Sequence, residues 1–434
     1  DTQIDFIEPA GKLYAAGAEA IKPRLARLFA AAQAKKIPKD ASLMPEGEKE
    51  LMADHDVNPE TITYRSGKGI QVRSADKKHN IVTRLRLQTL GTVSNASGEP
   101  AEMGIILRRA RLQFIGNTFG EHNKFKAEFA FSPRDLRFHA VGDDTYARES
   151  PLLSWYWEFD HLRDLTLRVG QYKIPYSRQR VISSGNQQMV DRSIANGEFT
   201  LDRDIGFDIR SKDFLGLGFM KYYLGVYNGE GRSAFDNGDS NLMYLGRVEF
   251  LPFGMFKDYS EGDFERLARP GVSIGLAYGY APNALGKKVN RSGRPADRGT
   301  TDFQNLAADV TFKYQGLALS SEVFWREGER ESGGALDGDG MEIPTEDARN
   351  GLGWMAQAGY LLPRSPIEIT GRFGQIIASD ESALSDSNEA GMAFSYYFAQ
   401  HPFKLQGDAF QLWGGDDAFT DGTTRVRVQM QMAF

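Results

Sequence analysis

Arginine and lysine stand at alternate positions in many short segments of this chain. Arg84 and Arg86, Arg109 and Arg111, Lys124 and Lys126, and Arg425 and Arg427 are such pairs, and Arg168 and Lys313 lie in similar surroundings. Guanidinium groups bind oxyanions through parallel N–H donors, and an ammonium group adds a compact point charge. The chemistry such residues offer is reversible capture of anions. Motifs for bond making fail. Gly271-Val-Ser273-Ile-Gly275 has the spacing of a nucleophile elbow, but that chemistry needs a strand–turn–helix corner, and here the motif sits inside an alternating strand. The histidines at 55, 79, 122, 139, 161 and 401 form no HExxH motif and no close pair, so no zinc site is expected. There is no phosphate-binding P-loop. No enzyme activity, cofactor or metal is expected.

Those cations need an element that presents every second residue to one side. From Gly69 onward the hydropathy has a period of two, the period of a β-strand. The segment 424–434 shows it most clearly. Val426, Val428, Met430, Met432 and Phe434 share one face; Arg425, Arg427, Gln429 and Gln431 share the other. Sixteen such segments are legible: 81–90, 105–114, 124–131, 153–159, 165–172, 205–211, 217–226, 241–250, 271–280, 305–314, 317–326, 353–361, 367–376, 389–398, 402–412 and 424–434. A further piece, Gly69 to Arg73, is expected to pair near the rim. Most are near the nine to eleven residues that cross a bilayer at a tilt, and the number is even.

The connections alternate too. Counted from the first strand, the odd ones (91–104, 132–152, 173–204, 227–240, 281–304, 327–352, 377–388, 413–423) are long, and most even ones are short. Long outer loops and short periplasmic turns give that parity in a transmembrane barrel. Two even connections, 115–123 and 251–270, are longer than the rule. Aromatic residues such as Trp155, Trp157, Tyr278, Tyr360, Phe394 and Phe398 fall on the apolar face near segment ends, as an interfacial girdle does.

Composition agrees. The chain has 434 residues, 52 basic and 58 acidic side chains, a formal charge of -6 and no cysteine. Disulfide scaffolds, thiolate metal sites and nucleic-acid binding through bulk charge are thereby excluded. Mean hydropathy is -0.44. No stretch nears the roughly 18 apolar residues of a membrane helix. Aromatics reach 12% and glycines number 46, which suits a barrel with a polar lumen. The chain begins at Asp1 and reads as a processed product. Residues 1–60 differ: Leu13, Gly17, Ile21, Leu25, Leu28 and Ala32 give a helical stripe interrupted at Pro23, followed by a polar linker. This extension is expected to be a periplasmic spacer, a plug or an oligomer contact, with 61–434 forming the barrel.

On the lumen-facing set bases outnumber acids by about 16 to 8 although the whole chain is negative, so charge is sorted by face. The connection 173–204 is the longest and carries Arg178, Arg180, Arg192 and Arg203. Asp191, Asp202 and Asp204 are expected to brace Arg192 and Arg203, leaving Arg178 and Arg180 to meet solute. With these two, Arg84, Arg86, Arg109, Arg111, Lys124, Lys126, Arg168 and Lys313 are the expected pore-lining anion contacts. The acidic outer loops, including Asp337, Asp339, Glu342, Asp416 and Asp417, are expected to be solvated or, as the alternative, to bridge through divalent cations to lipopolysaccharide.

Several stretches resemble the phosphate-selective porin O and P family. They are Arg108-Arg109-Ala-Arg111-Leu with Lys124-Phe-Lys-Ala-Glu-Phe; Leu167-Arg-Val-Gly-Gln-Tyr-Lys-Ile-Pro-Tyr176, then Ser183-Ser184 and Asp191-Arg-Ser; Asp202-Arg-Asp-Ile-Gly206; Leu224-Gly-Val-Tyr-Asn-Gly229; and Arg247-Val-Glu-Phe-Leu-Pro-Phe253. The resemblance implies an all-β, 16-stranded antiparallel transmembrane barrel in a Gram-negative outer membrane. It also implies a homotrimer that conducts small anions, with outer-membrane lipid and lipopolysaccharide around it and no nucleic-acid partner. Phosphate is one candidate solute. The alternative is a closed structural barrel, plugged by residues 1–60, whose acidic loops bind partners.

Overall fold

The computed structural model describes residues 62–65, 67–136, 138–141, 144–147, 150–234 and 241–434. The expected helix at 13–34 and the linker to residue 60 lie outside the described residues. Twenty strands follow in chain order: β1 (Ile62–Arg65), β2 (Gly69–Arg73), β3 (Asn80–Ala96), β4 (Glu102–Asn117), β5 (Asn123–Ala130), β6 (Phe138–Val141), β7 (Asp144–Ala147), β8 (Leu152–Phe159), β9 (Thr166–Lys173), β10 (Arg203–Ser211), β11 (Met220–Tyr227), β12 (Met243–Phe250), β13 (Gly271–Ala284), β14 (Thr300–Tyr314), β15 (Leu317–Glu331), β16 (Gly351–Leu361), β17 (Ile367–Ala378), β18 (Ser387–Ala399), β19 (Phe403–Gly414) and β20 (Thr423–Ala433).

Of these, β3–β5 and β8–β20 pair antiparallel with their neighbours, and β20 returns to β3 from Thr423↔Ala96 to Ala433↔Arg86. That closure gives a 16-stranded barrel with no open edge among its wall strands. Where β20 stops, β2 takes over β3 at Ile70↔Thr83 to Arg73↔Asn80, and β1 pairs with β2. β6 and β7 form a separate hairpin in the connection after β5.

The faces sort as alternation requires. Val428 is 53% exposed and Arg427 only 5%. Val426, Met430, Met432, Tyr278, Tyr360, Phe394 and Phe398 are exposed on the lipid side. Several strands run beyond their sequence-based limits, so the first odd connection shrinks from the expected 91–104 to residues 97–101. The other odd connections remain longer than most even ones, which places them at the outer mouth.

Apolar side chains also occur inside. Tyr172, Ile174, Tyr176, Phe199, Leu201, Tyr227, Phe303 and Phe324 form a buried cluster within the barrel. It is the seat for the inward-folded segment 174–202, so the lumen is neither wholly polar nor wholly water-filled.

Candidate pore constriction and anion path

The segment 174–202 is built from two short helical turns. Ser177 caps Arg178–Val181 by accepting from the Arg180 backbone N–H, and Ser193 caps Ile194–Phe199 by accepting from that of Asn196. The segment and the wall bond to one another's backbone groups. Tyr176 Oη donates to the Leu306 carbonyl at 2.9 Å, and the Val190 N–H donates to Asp408 Oδ2 at 3.2 Å. Lys404 Nζ donates to the Gln187 carbonyl at 2.6 Å, and Arg372 Nη1 to that of Asp191 at 2.9 Å. Buried backbone needs such partners, and the loop finds them on the β14–β19 wall. Glycines make the close approach possible: a Cβ on Gly353 would lie 2.5 Å from the Phe199 ring, and one on Gly359 1.9 Å from Gln188 Nε2.

A second segment enters from the opposite end. Residues 251–270, the even connection that broke the length rule, fold inward and meet the first. The Glu261 N–H donates to the Asn186 carbonyl at 2.9 Å, and the Gln188 N–H donates to Glu261 Oε2 at 2.7 Å. Asp258 accepts from Arg178 at 2.9 Å and from Lys221 at 2.8 Å. Phe264 packs edge-on against Tyr397 and His401, with ring centroids 4.7 and 4.8 Å away. The two segments together fill the half of the lumen next to β11–β19.

The other half stays open. A cavity of about 970 Å³ is lined by β4, β8, β9 and β10, by 174–202 and by residues 285–294 of an outer connection. Among the described residues eleven Arg or Lys side chains line it (Arg108, Arg109, Arg111, Arg134, Lys173, Arg180, Arg192, Arg203, Arg232, Arg291, Arg294) against four acids (Asp135, Asp191, Asp202, Glu230). Among the described residues no aromatic side chain contributes. Such a one-signed lining in a low-dielectric wall focuses positive potential.

Of the ten expected contacts, Arg109, Arg111 and Arg180 lie on this cavity. Arg111 is clamped by Asp135 at 2.9 and 3.1 Å, and Arg180 forms a bidentate pair with Asp202. Arg178 does not reach it. Only 2% exposed, it is locked between Asp258 and Asp309, with Ser273 accepting from Nη2 at 2.8 Å. Lys313 is likewise turned to the carbonyls of Lys257 and Ser260. Arg86 donates to Ser183 and Ser184 of the inward segment, and Arg84 to the Lys68 carbonyl. Lys124 pairs with Asp160, Lys126 with Glu128 at 3.0 Å, and Arg168 with Glu158 while stacking over Tyr156. Each of these cations is engaged within the protein: Arg168 ties β9 to β8, Lys126 pairs along β5, and the others hold connections or the inward segments to the wall.

The expected ranking within 174–202 is therefore altered by the geometry: Arg192 and Arg203 face the cavity and Arg178 faces away. Burial and the neighbouring Arg180 bring the Arg192 guanidinium down to about 9. Burial also opposes ionisation of Asp191, but Arg108 and Arg109 outweigh it and hold the carboxyl well below its ordinary range. Arg108 itself was hidden by alternation, which assigns it to the lipid side. A β-bulge turns it in: Gln88 pairs with Arg109 and Thr89 with Leu107, leaving Arg108 as the extra residue. Its Nη2 reaches Asp191 at 2.8 Å.

Comparison with known proteins agrees with this architecture. No curated protein matches the sequence. Among solved structures, the chain is similar to an anion-selective porin from Comamonas acidovorans at TM-score 0.51 and 13% identity, covering 82% of this chain and 99% of that one. The outer membrane channel DcaP of Acinetobacter baumannii gives TM-score 0.52 and 12% identity over 85% and 100%. A loop L8 deletion mutant of OmpT, an outer membrane protein of Vibrio cholerae, gives 0.52 and 9% over 82% and 100%. The family described as phosphate-selective porin O and P matches residues 87–368. With a closed 16-stranded wall, an inward-folded constriction and that match over more than half its length, the chain belongs to the phosphate-selective porin O and P family of Gram-negative outer-membrane porins.

Proposed function

We propose that this porin is a passive, anion-selective diffusion channel whose solutes travel along the half of the barrel lined by β4 and β8–β10. The observation that carries the reading is the eleven-to-four excess of cationic over acidic side chains among the described residues around the open cavity. An anion there exchanges part of its hydration for guanidinium and ammonium donors, while a cation meets net repulsion. Arg109, Arg111 and Arg180 are the expected contacts that line this path. Inorganic phosphate is one solute that fits its donors, since bidentate guanidinium geometry suits oxyanions generally.

Reconstitution in a planar bilayer under a KCl gradient tests the reading: the reversal potential should carry the anionic sign, and a cationic sign would reject it. Addition of phosphate then separates a phosphate-preferring channel, in which chloride current is blocked, from a general anion channel, in which it is not.

The competing reading is a closed structural barrel. The inward fold of 251–270 beneath 174–202 favours it, and the absence of measurable conductance would select it. The family resemblance also supports a homotrimer, which chemical cross-linking in native outer membranes tests. Acidic outer loops bridged to lipopolysaccharide through divalent cations belong to the same reading and would be released by chelation.

A further inference from the structure

We infer that Lys173, Arg192 and Arg291 set the ion preference of the channel, because their charges are held in place by neutral carbonyls instead of being cancelled by carboxylates. The assignment rests on the anion-conducting reading above and names the residues that perform it.

Most cations inside this barrel are paired. Arg111 is gripped by Asp135, Arg180 by Asp202 and Arg108 by Asp191. An ion pair presents a dipole to a passing solute, and its field dies away much faster than that of a lone charge. The paired arginines therefore shape the path more than they polarise it.

Lys173, at the end of β9, is different. Its Nζ donates to the carbonyls of Arg180, Val181 and Ile182 at 2.6, 3.4 and 3.1 Å. Arg192 approaches the same turn. Its Nε donates to the Gln179 carbonyl at 2.8 Å, and its Nη2 donates to those of Ile182 at 2.8 Å and Arg180 at 3.4 Å. These carbonyls end the turn Arg178–Val181 and have few partners within it, as the last carbonyls of any helix do. The second turn repeats the device. Arg291 donates through Nη2 to the Gly197 carbonyl at 2.6 Å and through Nη1 to that of Thr200 at 3.3 Å, at the end of Ile194–Phe199. All three side chains line the cavity. Among the described residues no carboxylate forms a side-chain ion pair with any of them; the nearest approach is through the backbone, where the Arg192 N–H donates to Asp191 Oδ1 at 3.1 Å.

The carbonyls thus fix three cations from three different chain segments without neutralising them. Two of them, Lys173 and Arg192, share the Arg180 and Ile182 carbonyls, which sets like charges side by side. A wall built only for stability would place a carboxylate there. An anion from solution is the counter-charge this site lacks. Arg203 and Arg109 rank behind these three, because Asp202 and Asp191 stand 3.7 and 3.6 Å from them.

The test compares reversal potentials in a tenfold KCl gradient for the full chain, the triple variant Lys173→Gln, Arg192→Gln, Arg291→Gln, and the charge-keeping triple Lys173→Arg, Arg192→Lys, Arg291→Lys. The glutamine triple should bring the anion-to-cation permeability ratio at least fivefold towards unity. The charge-keeping triple should stay within twofold of the parent. A folded glutamine triple that keeps the parent ratio overturns the inference while an anionic parent leaves the channel reading intact. A cation-selective parent overturns the channel reading itself. Loss of preference in both triples would mean that geometry, not charge, is responsible, and would also overturn the inference. If the glutamine triple does not insert, Arg291→Gln alone must move the reversal potential in the same direction, and no movement counts against the proposal.

Discussion

Replacing Glu198 with glutamine should loosen the constriction without opening the barrel. Glu198 lies in the turn Ile194–Phe199 and collects three cations from elsewhere: Arg326 of β15 at 2.6 Å, Arg349 at 2.9 Å and Lys288 at 2.5 Å. Burial alone would push its carboxyl up. Arg349, Arg326 and Lys288 outweigh burial and bring it from 4.5 to about 2. At about 1.36 kcal/mol per pH unit, that depression corresponds to an anchoring free energy of about 3 kcal/mol. Its sign follows from a folded value below the undocked one. The anchoring is complete above about pH 4.5 and is lost as pH falls through about 2. In Glu198→Gln it is missing at every pH, and Arg326, 1% exposed, keeps only carbonyl acceptors and the faces of Phe199 and Phe303. A local loss of about 3 kcal/mol raises the undocked population roughly a hundredfold. Hydrogen exchange read by mass spectrometry over peptides covering residues 194–201 should therefore accelerate by about that factor at neutral pH, while peptides from β13 to β17 stay protected. In the parent protein the same peptides should keep their protection down to about pH 4.5. Exchange within twofold of the parent, in a variant that retains a heat-resistant barrel, would refute the anchoring argument.

Other perturbations separate shape from charge. Gly353→Ala inserts a methyl group 2.5 Å from the Phe199 ring and should weaken docking of the same turn by about 1–3 kcal/mol, seen as greater open-channel noise in single-channel records. Arg178→Met removes one of the cations on Asp258 and Asp309, which keep Lys221 and Arg247; it should destabilise the contact between the two inward segments by about 1.5–3 kcal/mol, measurable as faster proteolysis of 251–270, and should leave the sign of the reversal potential unchanged. Deleting Arg108 removes the bulge and restores a regular β3–β4 ladder; anion preference should fall modestly because the side chain facing Asp191 is lost, and an unchanged permeability ratio would show that Arg108 contributes no net charge to the path.

The wall was readable because two simple rules act on every strand. Alternation separates Val426, Val428 and Met430 from Arg427, Gln429 and Gln431, and the structure puts the first group outside and the second within. Loop parity fixed the strand count, since one missing strand would have exchanged long and short connections throughout. What alternation cannot show is a change of phase. The bulge at Arg108 shifts the register by one residue and brings Arg108, Arg109 and Arg111 to the same side. Nor does the pattern tell lipid-facing aromatics from Tyr227, Phe303 and Phe324, which face inward to seat the constriction. The role of Arg178 depends on carboxylates 80 and 131 positions away, and that of Arg192 on how the turn 10 to 13 positions before it folds back. The carboxylates that confine Arg178 come from Asp258 and Asp309, and no local motif links them. One usable signal was present: the overlong even connection 251–270, rich in acids and aromatics, marked a segment with more to do than turn the chain.

Two loops plugging one side of a barrel divide labour around its circumference. The sector next to β11–β19 governs how much cross-section remains, through glycine gaps, caps and carboxylate anchors. In the proposed channel the sector from β4 to β10, where the cations gather, sets which sign of charge passes. On that proposal, substitutions in the first sector change bore, and those in the second change valence discrimination. A lineage of such pores could therefore alter its molecular-weight cut-off and its electrical preference by independent mutational steps.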